Sequence, residues 1–226
     1  MTKFTFAQRE EGFDNHIEHS IRGYTNLWND VLKYSEYFVE DEASVVDVGC
    51  STGKLLKAMI DQNTFAPKAN YFGIELEEDF FSTYRADEKE FPNLKYFEGD
   101  VRDFEFKNCS LVTSIFTLQF IPEVARTNII RQIYDGLNPG GAFIFAEKTV
   151  TECARINEIR TFTYYDYKRE HFTSDDILNK ERQLRHMMKL NTRNELLNKC
   201  ATAGFSFQKI ESFWQNYGFV AFIAIK

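Results

Sequence analysis

The run Val45-Val46-Asp47-Val48-Gly49-Cys50-Ser51-Thr52-Gly53-Lys54 decides how the rest of the chain is read. It opens inside a short β-branched segment, residues 44–48, of the length and composition of a buried strand. Gly49 and Gly53 then bracket a turn, and residues 54–61 follow as an amphipathic helix. Glycine reaches positive φ at little steric cost and lets backbone amides approach a ligand closely. A helix N-terminus placed directly after such a turn adds its partial positive charge. Glycine turns are common, so this one takes its meaning from the elements around it.

Outward from the turn, strands and helices alternate. Residues 71–75 read as a second strand. Residues 77–89 read as a helix with Phe80, Phe81 and Tyr84 on one face. Residues 94–97 form a third strand, ending in Glu98-Gly99-Asp100, and residues 110–114 a fourth. Pro122 sits in the first turn of a helix striped by Ile129, Ile130, Ile133, Tyr134 and Leu137, which Gly136 and Asn138-Pro139-Gly140-Gly141 stop. Residues 142–146 are a fifth strand, and residues 205–213 and 219–225 a hairpin about Asn216-Tyr217-Gly218. This order predicts an α/β three-layer sandwich with a mostly parallel sheet.

Residues 41–148 then form the core, and residues 191–226 complete it with a helix and the hairpin. Residues 1–40 add a helical cap carrying Tyr24, Leu27, Trp28, Val31, Leu32 and Tyr34, and residues 149–190 a charged helical insertion. Additions to such a core commonly cover its ligand crevice at the carboxyl ends of the strands, so both are read as lid or oligomer interface.

Composition narrows the function. The 226 residues are 43% apolar and 16% aromatic, enough for one elaborated domain. No apolar run approaches the roughly 20 residues of a membrane span, and MTKFTFAQRE lacks the apolar stretch of a secretory signal. With 27 basic and 34 acidic side chains the net charge is −7, which disfavours direct nucleic-acid binding. Cys50, Cys109, Cys153 and Cys200 are far apart with no C-x-x-C pair, as expected of reduced thiols in the cytoplasm. His16 and His19 share a helix without a third ligand, and His171 and His186 lie in the insertion, so no metal site is expected. Cys50 lies inside the turn without an adjacent base, which argues against a nucleophile. Lys180, Arg182, Arg185, His186 and Lys189 form a basic cluster interrupted by Glu181, read as a solvated face or an anion contact.

Three ligand chemistries compete for the turn. A phosphate-binding loop needs G-x-x-x-x-G-K-[ST], but here the glycines are one residue too close and Leu55 replaces the hydroxyl residue. A dinucleotide G-x-G-x-x-G is broken by Cys50-Ser51. Asp47, Gly49 and Gly53 instead resemble the D-x-G-x-x-x-G turn of class I S-adenosylmethionine (SAM) methyltransferases. Glu75, ending the second strand, can accept from both ribose hydroxyls, and Asp100, ending the third, from an adenine amino group beside Val101.

A more specific resemblance rests on Phe116-Thr117-Leu118-Gln119-Phe120, on Ile133 through Ala142, and on Glu147-Lys148. Together with Arg22-Gly23-Tyr24, Asp166-Tyr167-Lys168-Arg169 and Asn216-Tyr217-Gly218, these resemble carboxy-SAM synthases over residues 13–225. The resemblance implies a Rossmann-like class I methyltransferase fold with a seven-stranded sheet, binding SAM, carboxy-SAM or S-adenosylhomocysteine. It implies a reaction moving the carboxylate released from prephenate, a small-molecule substrate, onto the methyl of SAM for modification of a tRNA wobble uridine. By the same resemblance Tyr24, Gly49, Cys50, Ser51, Glu75, Leu76, Asp100 and Val101 line the cofactor site. Arg182 pairs with the new carboxylate across a homodimer formed through the insertion, with Tyr24 as the other residue at the reacting end. Ile115, offering backbone groups alone, stands where that family has Asn, and Glu181 stands where it is basic. Two other readings stay open: an ordinary methyltransferase of a small molecule or nucleobase, and a SAM-binding protein without catalysis.

Overall fold

In the computed structural model, which describes residues 12–226, Ser44–Val48 is a strand (β1) whose alternate residues serve both faces of the sheet. Val45 joins the core on one side, Val46 and Val48 the core on the other. Before it come α1 (Phe13–Ser20) and α2 (Tyr24–Ser35). After it come α3 (Lys54–Gln62), β2 (Asn70–Glu75), α4 (Tyr84–Glu90), β3 (Leu94–Glu98), β4 (Cys109–Ile115), α5 (Glu123–Gly136) and β5 (Leu137–Val150). The chain closes with α6 (Ala154–Lys168), α7 (Ser174–Met187), β6 (Asn191–Thr192), α8 (Arg193–Ala203), β7 (Ile210–Asn216) and β8 (Phe219–Ile225). The reading of the first ten residues falls outside the described residues.

The strands lie in the order β3-β2-β1-β4-β5-β8-β7. β1 to β5 are parallel, and β8 and β7 add antiparallel as the hairpin. The expected seven-strand path is therefore present. The two-residue β6 pairs with β5 as an eighth strand, too short to leave a periodic signal. From β1 the chain goes first to β2 and later, on its other side, to β4. That reversal opens a crevice at the carboxyl ends of β1 and β4. Leu27, Val31, Leu56, Met59 and Tyr164 cover one face of the sheet, and Ile129, Ile130, Ile133, Leu196 and Cys200 the other.

Three expected elements differ, each because a distant contact overrides local pattern. Residues 77–89 split into a 3-10 turn, Glu78–Phe80, and α4, because Tyr84 turns inward to the Ser51 carbonyl. β5 starts at Leu137 rather than 142, with residues 138–141 bulging out of register, and runs on to Val150 because β8 pairs with it as far as Lys148 and β6 over Thr149 and Val150. Phe205 is packed against Tyr134 and Phe143 in the core, so β7 begins at Ile210. All four cysteines are unbridged. Among the described residues no helix is long and apolar enough to cross a membrane.

Gly53 caps α3 at φ +69, and a Cβ there would lie 2.0 Å from Tyr96 Oη. Gly140, at φ +84, has nothing within 4 Å of such a Cβ. Gly140→Ala should therefore cost about 1–2 kcal/mol, the left-handed penalty alone, and Gly53→Ala clearly more. Urea unfolding of both variants checks this; equal losses would mean that Tyr96 does not crowd the turn.

Candidate active site

Leaving β1, the chain is pinned to β2. Gly49 and Cys50 N–H both donate to the Ile74 carbonyl, at 2.8 and 3.1 Å. Ser51 takes φ +44, and its N–H donates to Glu75 Oε2 at 2.9 Å. Leu76 and Glu77 N–H donate to Glu75 Oε1, also at 2.9 Å. Burial raises the Glu75 carboxyl above its ordinary range, and these amides oppose the rise. Asp47 is 4% exposed and accepts from Thr113 Oγ1 at 2.7 Å; burial pushes its carboxyl up to about 7.

The turn is held from behind by two tyrosines. The Tyr84 hydroxyl donates to the Ser51 carbonyl, and its ring stacks on Tyr96 with centroids 3.7 Å apart. Tyr96 Oη donates to Asp87 Oδ2 at 3.0 Å, and Lys57 Nζ lies 2.9 Å from the same oxygen. Burial pushes the Cys50 thiol well up, which removes it as a thiolate nucleophile. At the end of β3, Asp100 Oδ1 accepts from Arg102 N–H and Nε, both at 2.9 Å, and the guanidinium holds the carboxyl below its usual range.

The opposite wall begins where β4 ends. Phe116 takes φ +60 and donates its N–H to the Ala146 carbonyl at 2.7 Å, turning the chain across the crevice. Thr117 fills the space beside Gly49, where a Cβ would lie 2.2 Å from its Oγ1. Gln119 stands in for a missing strand neighbour. Its side-chain oxygen accepts from Lys148 N–H at 3.0 Å, and its Nε2 donates to the Phe116 carbonyl at 3.2 Å. The Gln119 carbonyl accepts from Lys189 N–H and from Arg126 Nη2, both at 3.0 Å. Buried Arg126 also donates to the Ile121 carbonyl and to Asn191 Oδ1. Glu147 accepts from Leu118 N–H at 3.0 Å; burial raises its carboxyl to about 8, against the pull of the Arg126 charge.

α6 and α7 form the roof. Tyr164 packs edge-on to Phe219 at 5.4 Å, with Lys148 Nζ 4.9 Å and Lys168 Nζ 5.1 Å from the Tyr164 ring centre. Glu181 Oε1 lies 3.3 Å from Lys148 Nζ, and Lys180 Nζ 2.9 Å from His16 Nε2. Turn, wall and roof enclose a cavity of about 620 Å³.

Of the residues singled out in the sequence, Tyr24, Asp47, Gly49, Cys50, Ser51, Glu75, Leu76, Asp100, Val101 and Ile115 line this one cavity. Gly53 shapes the turn from outside it. Arg182 is exposed on α7, donating to Asn179 Oδ1 at 3.3 Å, and does not enter the cavity of its own chain. Sequence reasoning missed Tyr84 and Tyr96 as supports of the turn, and Lys148, Tyr164 and Lys168 as the roof. Gly53 and Gly73, which both leave room for Tyr96, were the available signal for the first pair. Among the described residues no group of His, Cys, Asp or Glu could hold a metal ion.

SAM brings an adenosine, a sulfonium and an amino-acid tail. Glu75 fits it: Oε2 takes one amide and keeps a lone pair for a ribose hydroxyl, on a carboxylate that is 8% exposed. The cavity falls within the usual range of about 300–1,000 Å³ for small-molecule sites. Residues 45–141 match a family described as a methyltransferase domain. Over 224 residues the chain is 35% identical to a carboxy-S-adenosyl-L-methionine synthase of Staphylococcus epidermidis, covering 99% of this chain and 96% of the relative. The chain belongs to the carboxy-S-adenosyl-L-methionine synthase family. A synthase of that name from Klebsiella pneumoniae is 30% identical over 228 residues, covering 99% of this chain and 91% of its own length. Human N-acetylserotonin methyltransferase, solved with SAM, shares the fold with a TM-score of 0.57 at 16% identity, over 88% of this chain and 51% of that one. This member of the carboxy-SAM synthase family is a SAM-dependent transferase, and its cofactor is SAM or a close derivative.

Glu75→Ala should weaken SAM binding by about 1.5–3 kcal/mol, the range for charge-assisted hydrogen bonds. Unchanged affinity by calorimetry would remove Glu75 from the cofactor site. Asp47 gives a pH signature. In the folded chain it binds a proton below about 7. Unfolded, it stays ionised down to about 3.9, so its contribution to stability is full at low pH and is lost as pH rises to 7. Urea midpoints measured from pH 5 to 8 should fall less steeply in Asp47→Asn; parallel profiles would show that Asp47 is ionised throughout.

Proposed function

We propose that this chain makes carboxy-SAM, transferring the carboxyl group of prephenate to the methyl carbon of SAM, in service of tRNA wobble-uridine modification. The observation that carries this reading is the sorting of charge within the cavity. Glu75, Glu77 and Asp100 lie at the strand ends, partly offset by Arg102 and Lys54, whereas Lys148, Lys168 and Lys180 line the roof. A carboxylate-bearing donor is matched by ammonium groups, which form the stronger, charge-assisted hydrogen bonds. SAM supplies a methyl group whose C–H bonds are acidified by the adjacent sulfonium. The overall change balances: prephenate loses its ring carboxyl and ring hydroxyl and becomes aromatic, one methyl C–H bond is replaced by a C–C bond, and the proton leaves with the hydroxyl as water.

In this reading Tyr24 and Gly49–Ser51 line the cofactor, Glu75 and Leu76 the ribose, and Asp100, Val101 and the Ile115 backbone the adenine and its surroundings. Residues 149–190 act as a lid and as the contact of a homodimer. Exposed Ile156, Ile159 and Phe162 recur at helical spacing on α6 in support of that contact, and exposed Leu178 lies one turn before Arg182 on α7. Such a contact would deliver Arg182 to the partner subunit. The four free thiols support a cytoplasmic location, and the net charge of −7 supports the absence of direct nucleic-acid binding. An ordinary methyl transfer is favoured instead by one feature, the Glu181 carboxylate on Lys148.

Incubation with SAM and prephenate, read by mass spectrometry, should yield carboxy-SAM and phenylpyruvate. No carboxy-SAM with prephenate, but conversion of SAM to S-adenosylhomocysteine when a methyl acceptor is added, would establish the ordinary reaction. Arg182 facing a sulfonium methyl is opposed by about 4 kcal/mol of gross repulsion at 4 Å and an effective dielectric of 20, and facing the new carboxylate it is attractive. Competition binding should therefore show a preference for carboxy-SAM over SAM that Arg182→Ala largely erases. An equal preference in both proteins would place Arg182 outside the site.

A further inference from the structure

The turn after β1 holds one residue in a backbone conformation that its side chain disfavours. Ser51 takes φ +44, in the left-handed region that residues other than glycine, asparagine and aspartate rarely adopt. It is pinned there from both sides. Its N–H donates to Glu75 Oε2 at 2.9 Å, and its carbonyl accepts from the Tyr84 hydroxyl. Tyr84 lies behind the turn, 1% exposed and outside the cavity lining. Burial pushes its pKa up, so the hydroxyl keeps its proton and donates. Cys50 Sγ, 3.5 Å from the same oxygen, is the weaker of the two partners. The ring has no freedom to swing away. It stacks on Tyr96 with planes 3° apart, and Tyr96 Oη donates to Asp87 Oδ2, which Lys57 of α3 also meets. Gly73 leaves the room for this stack, since a Cβ there would lie 2.7 Å from Tyr96 Cδ1.

We propose that Tyr84 is a positioning residue for the cofactor, holding Ser51 left-handed so that the Ser51 amide fixes Glu75 Oε2 for the ribose. Oε1 is set by two amides of its own strand end, Leu76 and Glu77, whereas Oε2 takes its backbone donor from the turn. The oxygen offered to the ribose therefore stands where the turn puts it. Without the Tyr84 hydroxyl, the peptide between Ser51 and Thr52 relaxes toward negative φ and the Ser51 amide leaves Oε2. SAM must then restore both on binding, so affinity is lost through preorganisation and not through a contact. This role needs only SAM binding and stands whichever reaction follows.

The test is calorimetry of the full chain with SAM and with S-adenosylhomocysteine, joined to amide exchange at Ser51. Tyr84→Phe keeps the stack and the core volume, and loss of one neutral hydrogen bond predicts both ligands binding about threefold to tenfold more weakly. Without ligand, the Ser51 amide should exchange faster in Tyr84→Phe than in the wild type, and SAM should return it to the wild-type rate. Added to Glu75→Ala, the same change should weaken binding little further, because the oxygen it positions is gone. Tyr96→Phe, which releases the stack from Asp87, should act in the same direction and by less. Wild-type affinity in folded Tyr84→Phe overturns the role even where the urea midpoint falls, since lost stability alone is what a purely structural tyrosine shows. Losses that add in full across Tyr84→Phe and Glu75→Ala overturn the route through Glu75. Should Tyr84→Phe not fold, unchanged affinity together with unchanged Ser51 exchange in Tyr96→Phe overturns it instead.

Discussion

β5 outruns β4, and the whole cavity depends on how that mismatch is resolved. Beyond Ile115 the chain must leave the sheet to open the crevice, and from Glu147 onward β5 loses its β4 neighbour. Backbone groups stranded at such a break have to find partners. Side chains provide them: Gln119 oxygen for Lys148 N–H, and Glu147 for Leu118 N–H. Arg126 then gathers the carbonyls of Gln119 and Ile121. Burying the Arg126 guanidinium costs several kcal/mol, which is tolerable where carbonyl oxygens satisfy its donors, and the Glu147 carboxyl beside it escapes the same cost by keeping its proton below about 8. The Gln119 carbonyl also accepts Lys189 N–H, just past α7. Floor and roof are thus anchored at the same residue, so the insertion enters the site with its far end already fixed.

On the nucleotide side the same economy appears with different groups. Glu75 accepts three backbone amides, one from the turn after β1 and two from its own strand end. The carboxylate therefore organises the turn before any ligand arrives, and its exposed lone pair remains for a hydroxyl. Tyr84 and Tyr96 close the back of this arrangement, stacked with planes 3° apart. Gly53 reads locally as turn freedom and Gly73 as one residue of a strand, but in the fold they are the space into which Tyr96 fits.

What the sequence made legible was local. β1 and β8 lie on the residues that pattern alone indicated, and Gly49, Cys50 and Ser51 of the turn line the cavity while Gly53 stays outside it. The run Phe116–Phe120 stood out as specific, yet its physical reason was hidden, because Gln119 acts on Lys148 and Lys189, both distant in the chain, as well as on Arg126 seven residues on. Tyr84 read as one more apolar residue on a helix face for the same reason. Glu181 and Arg182 read as neighbours in one field. On a helix of 3.6 residues per turn, consecutive side chains point about 100° apart. Glu181 turned inward to Lys148 therefore puts Arg182 on the outside, and the two charges serve different surfaces.

That separation bears on how one cavity can accept two oppositely charged ligands. The roof carries Lys148, Lys168 and Lys180, with Glu181 facing inward on Lys148 and Glu18 lining the same cavity. At 5 Å and an effective dielectric of 20, one ammonium acts on a carboxylate with about 3 kcal/mol of gross attraction. The strand ends carry Glu75, Glu77 and Asp100, with Arg102 paired to Asp100 and Lys54 lining the same end. A sulfonium is favoured near the carboxylates and a dianion near the lysines. Electrostatics thus biases the two ligands toward opposite ends of one cavity, the sulfonium beside Glu75 and the donor's carboxylates beside the roof lysines.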